Sequence, residues 1–283
     1  MFKHKSLIAA VSLLCAVCLI AGFSAGCGDE NPSDSTASNK ATQAPTASAT
    51  TRSTRPTRPA DHVEETFHIE PTTVMPNARM IGVDVMLQDE LESGCEIYSA
   101  VTLLHYYGFN IDEFDFVEKY LTMEPVYTDD DGDSIGPDMN CAFAGDAYLG
   151  YGVYAPALQK AINLYLTQEK STHIAEVDKN STIKDLCTKY IDNDNPVLVW
   201  VTTDMFMPED YVEWTVGYTD ENAQYKEGDT FRWPTTEHCM LLIGYDDDNY
   251  YFADSLDATV VGYERESCEK VYKEMGAQAV YMK

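Results

Sequence analysis

From Ile97 onward, apolar residues recur every three or four positions: Ala100, Val101, Leu103, Leu104 and Tyr107 fall along one side of a helix. Ser93 and Glu96 stand three apart just ahead of this face, which predicts a capping box with Ser93 as N-cap and Glu96 at N3. Cys95 then falls at N2, in the first turn, and Gly108 stops the helix. Further helical patterns run from Asp112 to Leu121, from Pro156 through ALQKAINLYLTQ, and from Thr182 through TIKDLCTKYI. The period then changes. PVLVWVTTD (196–204) is a continuous apolar run bounded by Asn-Asp-Asn, expected as a buried strand. HCMLLIGYDDDNYYFADS (238–255) reads as two strands around an acidic turn, and GAQAVYMK closes the chain as another. Helices first and strands later predict an α+β fold with an antiparallel sheet.

The first 75 residues carry no such pattern. Lys3 and Lys5 precede an apolar run from Leu7 to Phe23 and then small residues, the layout of a secretory signal. Ser24-Ala25-Gly26-Cys27 resembles the lipobox of bacterial lipoproteins, which implies lipidation of Cys27 as the mature N-terminus. Residues 28–75 are rich in Ala, Thr, Ser, Pro and Arg; such a segment buries too little to offset its ordering entropy and is expected to be a disordered tether. The expected organisation is therefore a signal with lipobox (1–27), a tether (28–75) and one domain (76–283). The protein is expected to be exported, on the outer face of the cytoplasmic membrane, touching the membrane only through its N-terminal anchor. Plain secretion is the alternative.

Charge separates the same parts. Residues 1–60 hold six Lys/Arg and three Asp/Glu, so with −28 overall the remainder carries about −31. That argues against nucleic acid or an anionic membrane as a partner of the domain; it would favour cationic substrates at long range, but a solvated acidic surface is the first reading. The domain holds Cys95, Cys141, Cys187, Cys239 and Cys268, an odd number that leaves at least one thiol free within a monomer. No C-x-x-C pair occurs among them, and the acidic run near Asp131-Gly132 lacks EF-hand spacing, so no metal or cofactor is expected.

Thiol chemistry needs a cysteine held partly ionised, a base beside it and donors for an oxyanion. A helix N-terminus favours the thiolate of Cys95, whereas Glu92 and Glu96 oppose it. Among the candidate bases, His105 lies ten residues along the same helix, about 15 Å away, and cannot reach Cys95. His173 lies in an unpatterned polar segment. His238 opens the most apolar strand, and Asp254 ends the next; Asp257 is a rival orienter. A three-residue hairpin loop would place 240 opposite 254 and bring His238 and Asp254 to one face, while a two- or four-residue loop would separate them unless a bulge intervenes. Trp233 is expected near the cleft because WPTTEH leads into His238.

GCEIYSAVTLLHYYG resembles the nucleophile segment of the C39-like cysteine peptidases of secreted bacterial proteins and lipoproteins, a branch of the papain-like fold. GPDMNCAFAGDAYLGYGVYAPAL resembles the middle segment of that group. NPVLVWVTTDM followed by WPTTEHCMLLIGYDDDNYYFADSL resembles its histidine and aspartate hairpin. The resemblance extends in order from about Val83 to the C-terminus. It implies a nucleophile helix packed on an antiparallel sheet, with Cys95 as nucleophile, His238 as general base and acid, and Asp254 as orienting carboxylate. It also implies that the Gln88 side-chain amide joins the Cys95 N–H in an oxyanion hole.

The expected function is thiol-dependent hydrolysis of a peptide or protein substrate. A cell-wall amidase or transpeptidase on the same fold is one alternative, since only the amine or the acceptor changes. A non-catalytic surface binding or adhesion module, with Cys95 bridged to Cys141 or Cys268, is the other.

Overall fold

The computed structural model describes residues 66–68 and 78–283. The expected signal, Cys27 and all of the expected tether but Thr66–His68 lie outside those residues. Thr66–His68 forms a short strand antiparallel to Asp84–Met86. Among the described residues, no helix is long and apolar enough to cross a membrane.

The main sheet has seven strands: β1 (Arg79–Met80), β2 (Ala175–Lys179), β3 (Val197–Thr202), β4 (Glu237–Tyr245), β5 (Asn249–Asp254), β6 (Thr259–Glu264) and β7 (Gln278–Met282). Their order is β6-β5-β4-β3-β7-β2, with β1 on the far end of β4, and every neighbouring pair is antiparallel as expected. β3 is buried at all six positions. A strand covered on both faces can be apolar throughout, which explains its continuous run.

The described helices are α1 (Cys95–Tyr106), α2 (Glu113–Lys119), α3 (Ala155–Gln168), α4 (Ile183–Lys189) and α5 (Arg265–Glu274). α1 packs on β4, α3 on β2 and β7, and α5 on β3. The Asp112 side chain caps α2 by accepting the Asp115 N–H at 2.8 Å. Thr182 and Asp185 form a reciprocal capping box at the start of α4. Gly108, at φ +82°, ends α1 in the left-handed conformation that glycine tolerates.

Several features were not expected, among them strands β1, β2 and β6 of the main sheet. In α5, Cys268, Val271, Tyr272 and Met275 form a buried helical stripe. A second, four-stranded sheet pairs Tyr211–Tyr218 antiparallel with Thr230–Pro234 and parallel with Ser134–Pro137, which carries Tyr127–Thr128 on its other edge. This sheet has its own small core, in which Trp214 stacks on Phe231 with centroids 4.9 Å apart beside Trp233. The acidic run closes the hairpin at its edge: the Asp129 carboxylate accepts the N–H groups of Asp131 and Asp133.

The hairpin β4–β5 takes the bulged route. Tyr245 pairs with Tyr250, leaving four residues in the loop, and Leu242 pairs with Phe252 while Gly244 pairs with Tyr251. Ile243 is thus the extra residue. Past the bulge Leu241 lies opposite Ala253, so the register places Met240 opposite Asp254 and His238 on the same face. Gly244 allows β1 to approach there, since a Cβ at this position would lie 2.5 Å from the Arg79 carbonyl oxygen and 2.9 Å from Met80 Sδ. Gly244→Ala is expected to displace β1 and destabilise the domain by about 1–3 kcal/mol, read as a lower urea midpoint. An unchanged midpoint would contradict this account of the bulge.

Candidate active site

The N-terminus of α1 is held from outside the helix. The Ser93 N–H donates to the Ala147 carbonyl at 2.9 Å and its hydroxyl to the Gly150 carbonyl at 3.0 Å. Glu96, fully buried, accepts the Val153 N–H at 2.6 Å, and Trp200 Nε1 donates to the Val153 carbonyl at 2.8 Å. The expected capping box therefore does not form. Both of its side chains are drawn to backbone groups of residues 150–153, Gly94 becomes the N-cap without a side-chain bond, and Cys95 occupies N1 rather than N2. At N1 its N–H has no acceptor within the helix.

Cys95 and His238 line a cleft of about 360 Å³ together with Gln88, Glu92, Trp233 and Glu237. His238 Nε2 and Asp254 Oδ1 are 2.8 Å apart. Asp254 Oδ1 also accepts the Leu256 N–H at 3.0 Å. Burial works to raise the Asp254 carboxyl, but the hydrogen bond and charge of His238, with the Leu256 N–H, hold it below the usual range. A larger cavity of about 660 Å³, beside Tyr154, Tyr211 and Arg232, contains none of the four expected catalytic residues.

The thiol itself faces carboxylates. Cys95 Sγ lies 3.4 Å from Glu96 Oε2 and 4.0 Å from Glu237 Oε2, and accepts the Cys239 N–H at 3.4 Å. Among the described residues no hydrogen bond joins Cys95 to His238, although both open onto the cleft. Burial, then the charges of Glu96, Glu237 and Cys239, push the Cys95 thiol well above its ordinary value, against the Cys239 N–H. Desolvation and the two carboxylates thus oppose the ionisation that the helix terminus favours. Burial likewise pushes Glu96 up to about 7, opposed by the Val153 N–H, and burial with the Glu96 charge raises Glu237 well above the carboxylate range.

Gln88 reaches the cleft, but both hydrogens of its amide are engaged. Nε2 donates to the Leu91 carbonyl at 3.1 Å and to the Glu92 carbonyl at 3.0 Å, while Oε1 accepts the Ser255 hydroxyl at 3.1 Å. Gln88 braces the turn that leads into α1, and an oxyanion role would require one of these bonds to open.

A family model described as the Peptidase_C39 like family matches residues 80–280, which span this site and all but the outermost residues of the main sheet. The chain belongs to that family. Its relatives include the uncharacterised protein YvpB of Bacillus subtilis (strain 168), 26% identical over 209 residues that cover 70% of this chain and 74% of YvpB. A crystal structure described as that of a C39-like peptidase from Bacillus anthracis superposes with a TM-score of 0.57 at 25% identity, covering 69% of this chain and 91% of the other. The C39-like, papain-type α+β architecture expected from the sequence is therefore the one observed.

Within this C39-like site the sequence reading passed over Glu237. The expected strand began at His238, yet β4 starts one residue earlier, and a charged residue beside a candidate base was a legible signal. Cys95, Glu96 and Glu237 offer ligand atoms within 4.8 Å of one another, a set that could hold a divalent cation with Cys95 as a thiolate ligand. All five cysteines of the described residues are free, so no bridge from Cys95 to Cys141 or Cys268 is present.

A carboxyl whose folded pKa is raised weakens the fold as pH rises through the interval between its unfolded and folded values. For Glu96 that interval runs from 4.5 to about 7. Stability is full below it and is lost on passing upward through it, by ~3 kcal/mol at most. Glu96→Gln keeps an oxygen for the Val153 N–H and removes the titration. Urea unfolding across this range is expected to show a stability decline in the wild type that is flatter in the variant; parallel curves would refute the assignment.

Proposed function

We propose that the protein is an exported, lipid-anchored thiol peptidase acting through Cys95, His238 and Asp254. The observation that carries this reading is the His238–Asp254 bond at 2.8 Å, in the same cleft as a cysteine at the first position of a helix. Asp254 engages Nε2 and so orients the imidazole, leaving Nδ1 as the nitrogen for proton transfer. Since burial and the two carboxylates favour the protonated sulfur, His238 must take its proton as the sulfur attacks, which requires the thiol to turn from Glu96 and Glu237 toward the ring.

Attack of Cys95 Sγ on a peptide carbonyl forms the S–C bond and a tetrahedral oxyanion. The Cys95 N–H at N1 is a donor for that oxyanion, joined by Gln88 if one of its carbonyl bonds opens. The imidazolium of His238 then protonates the leaving amine as the C–N bond breaks. Water, deprotonated by the same ring, releases the acid and restores the thiol. Family membership and fold support peptidase chemistry in general; the three roles rest on the geometry above. Export and anchoring rest on the N-terminal sequence pattern.

Cys95→Ala is expected to abolish peptide hydrolysis with an unchanged circular dichroism spectrum. Asp254→Asn is expected to lower kcat/KM by on the order of a hundredfold or more through loss of ring orientation. Hydrolysis retained by Cys95→Ala would sink the assignment. Anchoring is read separately: the intact protein should partition with the membrane and incorporate labelled fatty acid, and Cys27→Ala should do neither.

A further inference from the structure

The cleft carries two glutamates, and His238 is the basic side chain in its lining. Glu92 stands at its exposed rim and Glu237 beside the nucleophile, and among the described residues no lysine or arginine lines it. Arg232, the neighbour of Trp233 on its strand, lies in the larger cavity, where it pairs with Glu213 at 2.8 Å and covers the Tyr211 ring at 4.3 Å. Glu237 carries a second mark: its Oε1 is sealed from solvent with no hydrogen-bond partner among the described residues, although Oε2 lies only 4.0 Å from Cys95 Sγ. The mechanism above makes no use of this carboxyl. A buried carboxyl without a donor is costly to ionise, and an ammonium or guanidinium placed beside it supplies both the hydrogen bond and the charge.

We propose that this cleft selects peptides bearing a cationic side chain, such as lysine, arginine or a diamino acid, within about one residue of the scissile bond, with Glu237 as the residue that receives it. The proximity to Sγ sets the position: a group that reaches Glu237 belongs to a residue at or next to the bond under attack. Trp233 and Tyr151, which also line the cleft, offer apolar walls for the methylene stem of such a side chain while its charged end seeks the carboxylate. An ammonium or guanidinium beside the unpartnered Glu237 Oε1 would form a charge-assisted hydrogen bond in a site largely shielded from water. The overall charge of −28 would bring cations to the protein, but only a local group can choose among them at the bond.

This inference rests on the cleft being the peptide site, and binding tests it apart from turnover. The full-length Cys95→Ala protein would be titrated with fluorescein-labelled peptides of repeating Ala-Gly-Lys, Ala-Gly-Gln and Ala-Gly-Glu in 0.5 M salt, which screens the general surface charge. The lysine peptide is expected to bind at least tenfold tighter than the glutamine peptide, and the glutamate peptide weakest. Adding Glu237→Gln should remove most of that preference, whereas Glu227→Gln, at an exposed site outside the cleft, should leave it in place. Equal binding of the lysine and glutamine peptides, or a preference that survives Glu237→Gln in a folded protein, would overturn the proposal. Absence of hydrolysis by the wild type would count against the peptidase reading alone.

Discussion

The register of β4 against its neighbours is the constraint on which the site depends. β4 pairs with β3 along six residues and with β5 around the unpaired Ile243, and this one extra residue returns a four-residue hairpin to the register that sets His238 and Asp254 on one face. A slip of one residue would send the two side chains to opposite faces. The same strand supplies Glu237 and the Cys239 N–H to the sulfur, and its Cys239 carbonyl accepts the Ser99 hydroxyl of α1 at 3.0 Å. Sheet pairing thus positions His238, Asp254 and the surroundings of Cys95 together.

Helix α1 is held by the loop at 146–153 more than by its own cap. Asp146 folds that loop by accepting the N–H groups of Tyr148 and Leu149, and the loop then takes the Ser93 hydroxyl and donates to Glu96. Trp200, from the centre of the main sheet, fastens Val153 from the other side. A chain of hydrogen bonds therefore runs from β3 through the loop to the first turn of α1, which is how a helix terminus with no side-chain cap is kept in one place.

This arrangement has an electrostatic consequence. Cys95, Glu96 and Glu237 are gathered in a shielded space: burial raises the proton affinity of all three, the Glu96 charge adds to it at Cys95 and Glu237, and the hydrogen bond from Cys95 lowers it at Glu96.

Much of the framework was legible in the sequence. The helical face from Ile97 to Tyr107, the helix opening at Thr182, the apolar run of β3 and the hairpin around the acidic turn each follow from local periodicity and turn chemistry. Cys95, His238 and Asp254 could be named as candidates because their elements could be placed in order. The parallel pairing of Ser134–Pro137 with Tyr211–Tyr218 joins segments far apart in the chain, and no local pattern announces which strand will cover which. Ser93 and Glu96 read as a capping box because a sequence shows only local partners; the fold offered Gly150 and Val153 instead, and a buried carboxylate takes the donor that burial brings to it. Glu237 gained its place beside the thiol for the same reason. Identity and spacing determined which residue types could do chemistry, and tertiary packing decided what surrounds the Cys95 thiol and raises its proton affinity, because desolvation depends on neighbours that a linear chain does not show.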